Sequence, residues 1–184
     1  VNIYARRVAE RSAAEQLIGT ARVEAKYSSS IFTGSQANHN NGLFTDRGPI
    51  PPVVGTETTY TITMVAEAGV NDLTDTTLNT AIPVHVTWLD AVQGDGELIY
   101  NDVAKQLEWR AGNIVSNTRK EVSFQVGITP SASQYRQTPT LLGPQTLRAT
   151  DRFTGERLQA IGERVYTELS TELGYERDNG IVGQ

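Results

Sequence analysis

The stretch Glu57-Thr-Thr-Tyr-Thr-Ile-Thr-Met64 decides the fold. Thr58, Tyr60, Ile62 and Met64 fall on one face of an extended chain and Thr59, Thr61 and Thr63 on the other, the pattern of an antiparallel strand with one buried and one solvated face. Its β-branched and aromatic residues favour the same conformation. Working outward, alternation and turn residues predict further strands at 76–81, 84–89, 97–101, 106–110, 121–129, 146–150 and 164–170, with turns at Gln93-Gly-Asp-Gly96 and Ala111-Gly-Asn113. Trp88 shares a face with Val84 and Val86, Trp109 shares one with Leu107, and Val122, Phe124, Val126 and Ile128 make an inward row. These aromatics are expected in the core. Strands at this spacing suit an all-β chain, a sandwich of two antiparallel sheets.

Toward the N-terminus, Ala21-Arg-Val-Glu-Ala-Lys-Tyr27 alternates and reads as the first core strand, with Arg22, Glu24 and Lys26 on the solvent side. Before it, Val1-Asn-Ile-Tyr-Ala5 alternates like the end of a strand, and residues 6–17 read as a short polar helix closed by Gly19. Residues 28–55 are rich in Ser, Asn, Gly and Pro and close on Gly48-Pro-Ile-Pro-Pro52, which no sheet interior accommodates. A long surface loop is expected there. Its Asn38-His-Asn-Asn-Gly42 segment, with Phe32, Leu43 and Phe44, is a candidate contact loop, because loops of this length in compact domains bind something or pack on the surface. The organisation expected is an arm or linker over 1–18, a sandwich over 19–171 and a C-terminal tail over 172–184. The start at Val1 reads as that of a fragment of a longer polypeptide.

A chain of 184 residues has room for one good core. It contains no cysteine, which removes disulfides and thiolate metal sites, and no apolar run approaching the roughly 20 residues of a membrane-spanning helix. The net charge of −5 conceals a sharper pattern. No lysine or arginine lies between Arg47 and Lys105, whereas Glu57, Glu67, Asp72, Asp75, Asp90, Asp95, Glu97 and Asp102 are all acidic, so nucleic acid is not expected as a partner. The first 47 residues instead carry Arg6, Arg7, Arg11, Arg22, Lys26 and Arg47 against four acids.

Chemistry-bearing residues are sparse. His39 falls in the long loop and His85 opposite the Val84, Val86, Trp88 face, so both are expected at the surface without metal-ligand spacing. No nucleophile has a base at a suitable spacing, and the carboxylates fall in turns and on solvent faces, so catalysis is not expected and no catalytic residue is assigned. No cofactor is required. Calcium is the ion the residues would suit best, through hard oxygen ligands at Asn71, Asp72 and Asp75, or at Asp95, Glu97 and Asp102, although no repeat-type calcium spacing is present and a solvated acidic edge is the simpler reading. Lys26 is placed outside by its alternation, which argues against an intramolecular isopeptide crosslink from a buried lysine.

Val54-Gly-Thr-Glu-Thr-Thr-Tyr-Thr-Ile62, Asn71-Asp-Leu73, Ile82-Pro-Val-His-Val-Thr-Trp88, Leu107-Glu-Trp109, Gly112 and Val122-Ser-Phe-Gln-Val126 together resemble the conserved-repeat, immunoglobulin-like domains of unknown function found in large bacterial and archaeal surface proteins. The resemblance spans residues 48–130. The entry Gly48-Pro-Ile-Pro-Pro52 and the later Thr129-Pro-Ser131, Leu141-Leu142 and Ala149-Thr-Asp-Arg-Phe-Thr-Gly155 look like parts of the C-terminal modules of giant surface proteins of small, uncultured bacteria. What this implies is an exported, extracellular chain of stacked modules, with no family catalytic residue to carry over.

The function expected is therefore that of a structural or interaction module whose partners are neighbouring modules or copies of itself. Arg6, Arg7 and Arg11, approaching the acidic turns of a neighbour, and the exposed aromatics Phe32 and Phe44 are the candidate interface residues. The alternative is an adhesin whose loops, 33–48 and 91–96, recognise a surface glycan or protein.

Overall fold

The computed structural model describes residues 2–5, 17–20, 22–174, 176 and 178–184. Two short strands, β1 (Asn2–Ala5) and β2 (Leu17–Thr20), pair antiparallel with each other. The helix expected over 6–17 is not tested, because residues 6–16 lie outside the described residues, and Leu17 opens β2. Arg6, Arg7 and Arg11 lie outside them too. There follow β3 (Ile31–Asn38), β4 (Thr58–Ala68), β5 (Leu73–Ala81), β6 (Val86–Gly94), β7 (Glu97–Asn101), β8 (Gln106–Ile114), β9 (Arg119–Ile128), β10 (Thr140–Leu142), β11 (Gln145–Asp151), β12 (Arg157–Gly162) and β13 (Val165–Tyr166).

Two antiparallel sheets carry the fold, one ordered β3-β4-β9-β6 and the other β12-β11-β5-β8-β7. In immunoglobulin lettering the first is A-B-E-D and the run β12-β11-β5 is G-F-C. The strands β7 and β8, inserted between D and E, extend the second sheet beyond C. The chain is thus an immunoglobulin-like β-sandwich.

Its core lies between the sheets. Tyr60, Ile62 and Met64 of β4 and Phe124 and Val126 of β9 meet Leu78, Leu107, Trp109 and Leu147 of the opposite sheet, all of them fully buried. Each such side chain contributes about 1.5–3 kcal/mol on leaving water. The Trp109 indole N–H finds its acceptor in the Asp95 carbonyl at 2.7 Å, inside the turn that joins β6 to β7. That turn needs glycine: Gly94 and Gly96 have φ of 137° and 75°, and a side chain on either would run into the carbonyl of Glu121 or Arg110.

Several expectations are corrected. Residues 22–30 form no strand, and Val23 and Tyr27 are 89% and 79% exposed. The first strand of the sandwich is β3, inside the stretch expected to be loop. Its composition, Ile-Phe-Thr-Gly-Ser-Gln-Ala-Asn, is weakly apolar because it is an edge strand, paired only with β4 and burying only Thr33, Ala37 and Asn38. Ala111-Gly-Asn113 is not a turn but a kink within β8, where Gly112 (φ 70°) and Asp75 (φ 52°) accompany register shifts against β5. Only two residues of the segment expected as a strand over 164–170 are one, and β10 and β12 were not anticipated. Val84 is 88% exposed, and Trp88, on edge strand β6, is half-buried, with ring centroids 5.0 Å from Tyr100 and 5.2 Å from Phe124.

The threonine face of β4 is not left to water. Residues 39–47 fold back across it: the Thr61 hydroxyl donates to Asp46 at 2.7 Å, Gln125 of β9 donates to Asp46 and to the Thr45 carbonyl, and the Arg47 N–H donates to the Thr59 hydroxyl at 2.8 Å. Thr59 and Thr61 are buried as a result.

Candidate functional site

The strand register fixes two ends of the sandwich. At one end β4 closes at Ala68, β5 opens at Leu73 and β11 closes at Asp151. At the other, Thr58 faces Ile128, and Ala81 faces Gln106. With 11 residues in β4, the ends stand about 33 Å apart. Residues 22–30 approach the first end, and the last residues sit at the second, where the Gly183 N–H donates to the Pro52 carbonyl at 2.8 Å and Val182 is buried.

Each end is closed by one buried carboxylate. At the first, Asp151, with no exposed surface, accepts four hydrogen bonds. The Ser29 N–H (2.6 Å) and the Asn71 amide (2.9 Å) reach Oδ2, and the N–H groups of Phe153 (2.8 Å) and Thr154 (3.0 Å) reach Oδ1. One side chain so ties the entering segment, the β4–β5 connection and the β11–β12 turn together. Around it, Asn71 also donates to the Tyr27 carbonyl, the Ser28 hydroxyl bonds Thr154 and Glu156, and the Gly69 N–H donates to Ser30. Burial would raise the Asp151 carboxyl, but the hydrogen bonds from Asn71, Ser29, Thr154 and Phe153 outweigh it and hold the group well below the usual carboxylate range.

At the second end Glu172, 6% exposed, does the same for the exit. Three successive main-chain N–H groups, His39 (2.7 Å), Asn40 (2.7 Å) and Asn41 (2.9 Å), converge on its Oε1, and the Asn40 amide donates to Oε2 at 3.1 Å. This is an anion-binding nest formed by the chain leaving β3, occupied by a carboxylate from the C-terminal segment. Burial pushes the Glu172 carboxyl up, and the N–H groups of Asn41, His39 and Asn40 more than offset it, so it too is lowered.

Neither clamp was foreseen. Asp151 sits in a stretch noticed only as a family ending, although an Asp followed by Arg-Phe-Thr-Gly is a side-chain-capped turn signal. Glu172 offers no local signal, since its donors lie 131–133 residues away.

The candidates read from the sequence are dispersed. Phe32 lies on β3 rather than in a loop and is 59% exposed, whereas Phe44 is half-buried. The histidines are half-buried rather than free at the surface: His39 Nδ1 lies 2.9 Å from the Thr59 carbonyl oxygen and His85 Nε2 lies 2.9 Å from that of Thr140. Among the described residues no three His, Cys, Asp or Glu side chains converge. Asp72 accepts from the Ser116 N–H, Asp95 from the Glu121 N–H, and Asp102 pairs with Lys105 at 2.7 Å, while Glu97 and Asp102 are held apart by β7. Lys26 is exposed, its ammonium 4.9 Å from the centre of the Phe153 ring.

The acidic run is likewise spread over both ends and partnered locally, Glu57 with Arg47, Asp72 with Arg152 and Glu97 with Arg110. Among the described residues no helix is long and apolar enough to cross a membrane.

No family profile matches the sequence, and no curated protein matches it. Solved structures do. A variant of BcpA, the major pilin subunit of Bacillus cereus, matches 90% of this chain over 47% of its own at 10% identity and a TM-score of 0.47. The full-length major pilin SpaD of Corynebacterium diphtheriae matches 73% of this chain over 34% of its own at 12% identity and a TM-score of 0.44. Three N-terminal domains of a type V pili tip protein from Porphyromonas gingivalis match 56% over 23% at 12% identity and a TM-score of 0.44. The chain spans less than half the length of each, and its fold assignment rests on the strand order given above.

Proposed function

We propose that this chain is a non-enzymatic structural module of an exported cell-surface protein, stacking end to end with neighbouring modules or copies of itself into a stalk, layer or filament. The observation that carries the reading is the pair of clamps. The chain is held by Asp151 where it enters one end of the sandwich and by Glu172 near where it leaves the other. Tension between those points runs along the strands. It loads the eight paired residues of β3 and β4 in shear, so that the ladder resists together rather than one bond at a time.

The basic residues Arg6, Arg7 and Arg11, reaching the acidic turns of a neighbour, would supply register more than affinity, since an exposed ion pair contributes about 0–1 kcal/mol. Salt weakens such contacts. The test is electron microscopy of the native material together with size-exclusion chromatography of the chain with and without residues 1–18. Ordered end-to-end assemblies that shorten on truncation are expected. A monomer under every condition, with no ordered assembly in the native material, refutes the reading.

A further inference from the structure

A shallow groove runs over the outer face of the β3-β4-β9-β6 sheet, from Phe32 near the first end to the 39–47 segment. Two depressions of about 430 and 500 Å³ share Gln36, Thr63 and Glu121 and so form one continuous channel. It extends alongside β3 from Phe32 to Asn38, six residue steps or about 20 Å. The folded-back 39–47 segment closes one end, and Gln93 and Ser123 line the far wall. The segments 33–48 and 91–96, expected from the sequence as loops, both line this face, with 33–38 in β3 and 91–94 in β6 rather than in loops.

We propose that this groove binds a neutral oligosaccharide. Phe32, 59% exposed, stands at one end with two ring carbons 3.3 Å from where a Gly34 side chain would begin, so the ring is laid over the glycine and is available to the C–H face of a sugar. Beyond it come the amides of Gln36 and Gln93 and the hydroxyls of Thr63 and Ser123, which donate and accept as sugar hydroxyls require. The Thr63 and Ser123 hydroxyls are 2.8 Å apart, paired across the floor. Arg119 and Glu121 pair at 2.8 Å, and the Glu67 carboxylate also lines the groove, so the charge there disfavours an acidic sugar and leaves a neutral one. A polypeptide adding as a strand would need a sheet edge. The outer edge of β3 is the place for such a strand, whereas the groove lies on the face of the sheet, where side chains make the contacts.

The experiment is a nuclear magnetic resonance titration of the 184-residue chain with hexamers of β-1,4-linked glucose, β-1,4-linked N-acetylglucosamine and α-1,6-linked mannose. At least one is expected to shift resonances confined to β3, the second half of β4, the first half of β9 and residues 41–43 and 93–94. Phe32→Ala and Gln36→Ala, at exposed positions, are expected to weaken that binding at least tenfold with the melting temperature unchanged, and Gly34→Val, which displaces the ring, to do likewise. Absence of shifts with all three sugars, or equal affinity in the Phe32 and Gln36 variants, overturns the proposal. So does concentration-dependent broadening of the same resonances without sugar, which would assign the face to a second copy of the chain. None of these outcomes depends on end-to-end stacking, since each reads the response of the sheet face rather than assembly.

Discussion

Removing the Asp151 carboxylate tests the clamp at the entry end most directly. Asp151→Ala deletes the acceptor of four hydrogen bonds. The Phe153 and Thr154 N–H groups lie in an exposed turn and regain water, so the cost there is small. Ser29 is buried, and its N–H and the Asn71 amide are left facing a vacated site. Leaving a buried donor unsatisfied costs about 1–3 kcal/mol, more when its acceptor was charged, so the variant is expected to lose about 3–4 kcal/mol. For a chain of this length that lowers the melting temperature by about 10 °C. Asp151→Asn keeps one oxygen for the turn and turns an amide N–H against Ser29, so it should cost less but free the same segment. Thermal denaturation with amide hydrogen exchange reads both effects: exchange at Ser29 rises in each variant while the core amides of β4 and β9 in the Asn variant stay protected. An Ala variant within 1 kcal/mol of the parent, or unchanged exchange at Ser29, would refute the assignment of Asp151 as the tie.

Glu172→Gln retains only part of the acceptor set facing His39, Asn40 and Asn41, and is expected to cost about 1–2 kcal/mol and to speed proteolysis within residues 39–47 and 172–184, as limited digestion would show. Tyr60→Phe should be neutral or stabilising by up to about 1 kcal/mol in urea denaturation, because the Tyr60 hydroxyl is buried with no hydrogen-bond partner among the described residues. Burial, with Asp46 nearby, already drives its ionisation upward, and the variant removes only a cost. Both clamp carboxyls have folded pKa values below their unfolded ones, so their stabilisation is fully present above roughly pH 5 and is lost as pH falls through about 4 toward the folded values. Amide exchange at Ser29 and residues 39–41 should therefore rise in acid before the core opens. A stability flat from pH 6 to pH 2 would contradict this.

The parts of the fold legible in the sequence are those whose burial is one-sided. The Tyr60, Ile62, Met64 row and the Val122, Phe124, Val126, Ile128 row are both buried as the alternation predicts. The glycine turn between β6 and β7 is where its residues place it. Edge strands were harder to see. β3 and β12 bury few side chains, so their polar residues look like loop, while the alternating 22–27 segment is exposed and has no sheet to join. Phe32 was recognised as an exposed aromatic, but its place beside Gln36 and Glu121 depended on the pairing of β3 with β4 and of β4 with β9.

By itself the sequence determined the strand type and the apolar faces, because alternate side chains point to opposite sides of an extended chain whatever its neighbours are. It equally determined the want of cysteine chemistry. Only the tertiary structure decided which carboxylates tie the ends, because the donors that Asp151 and Glu172 gather are mostly main-chain N–H groups, which nearly every residue carries and no residue type reports. It also decided where charge goes. Antiparallel strands return to the opposite end every ten residues or so, and the acidic run between Arg47 and Lys105 is thereby dealt out to both ends and set beside local arginines and lysines.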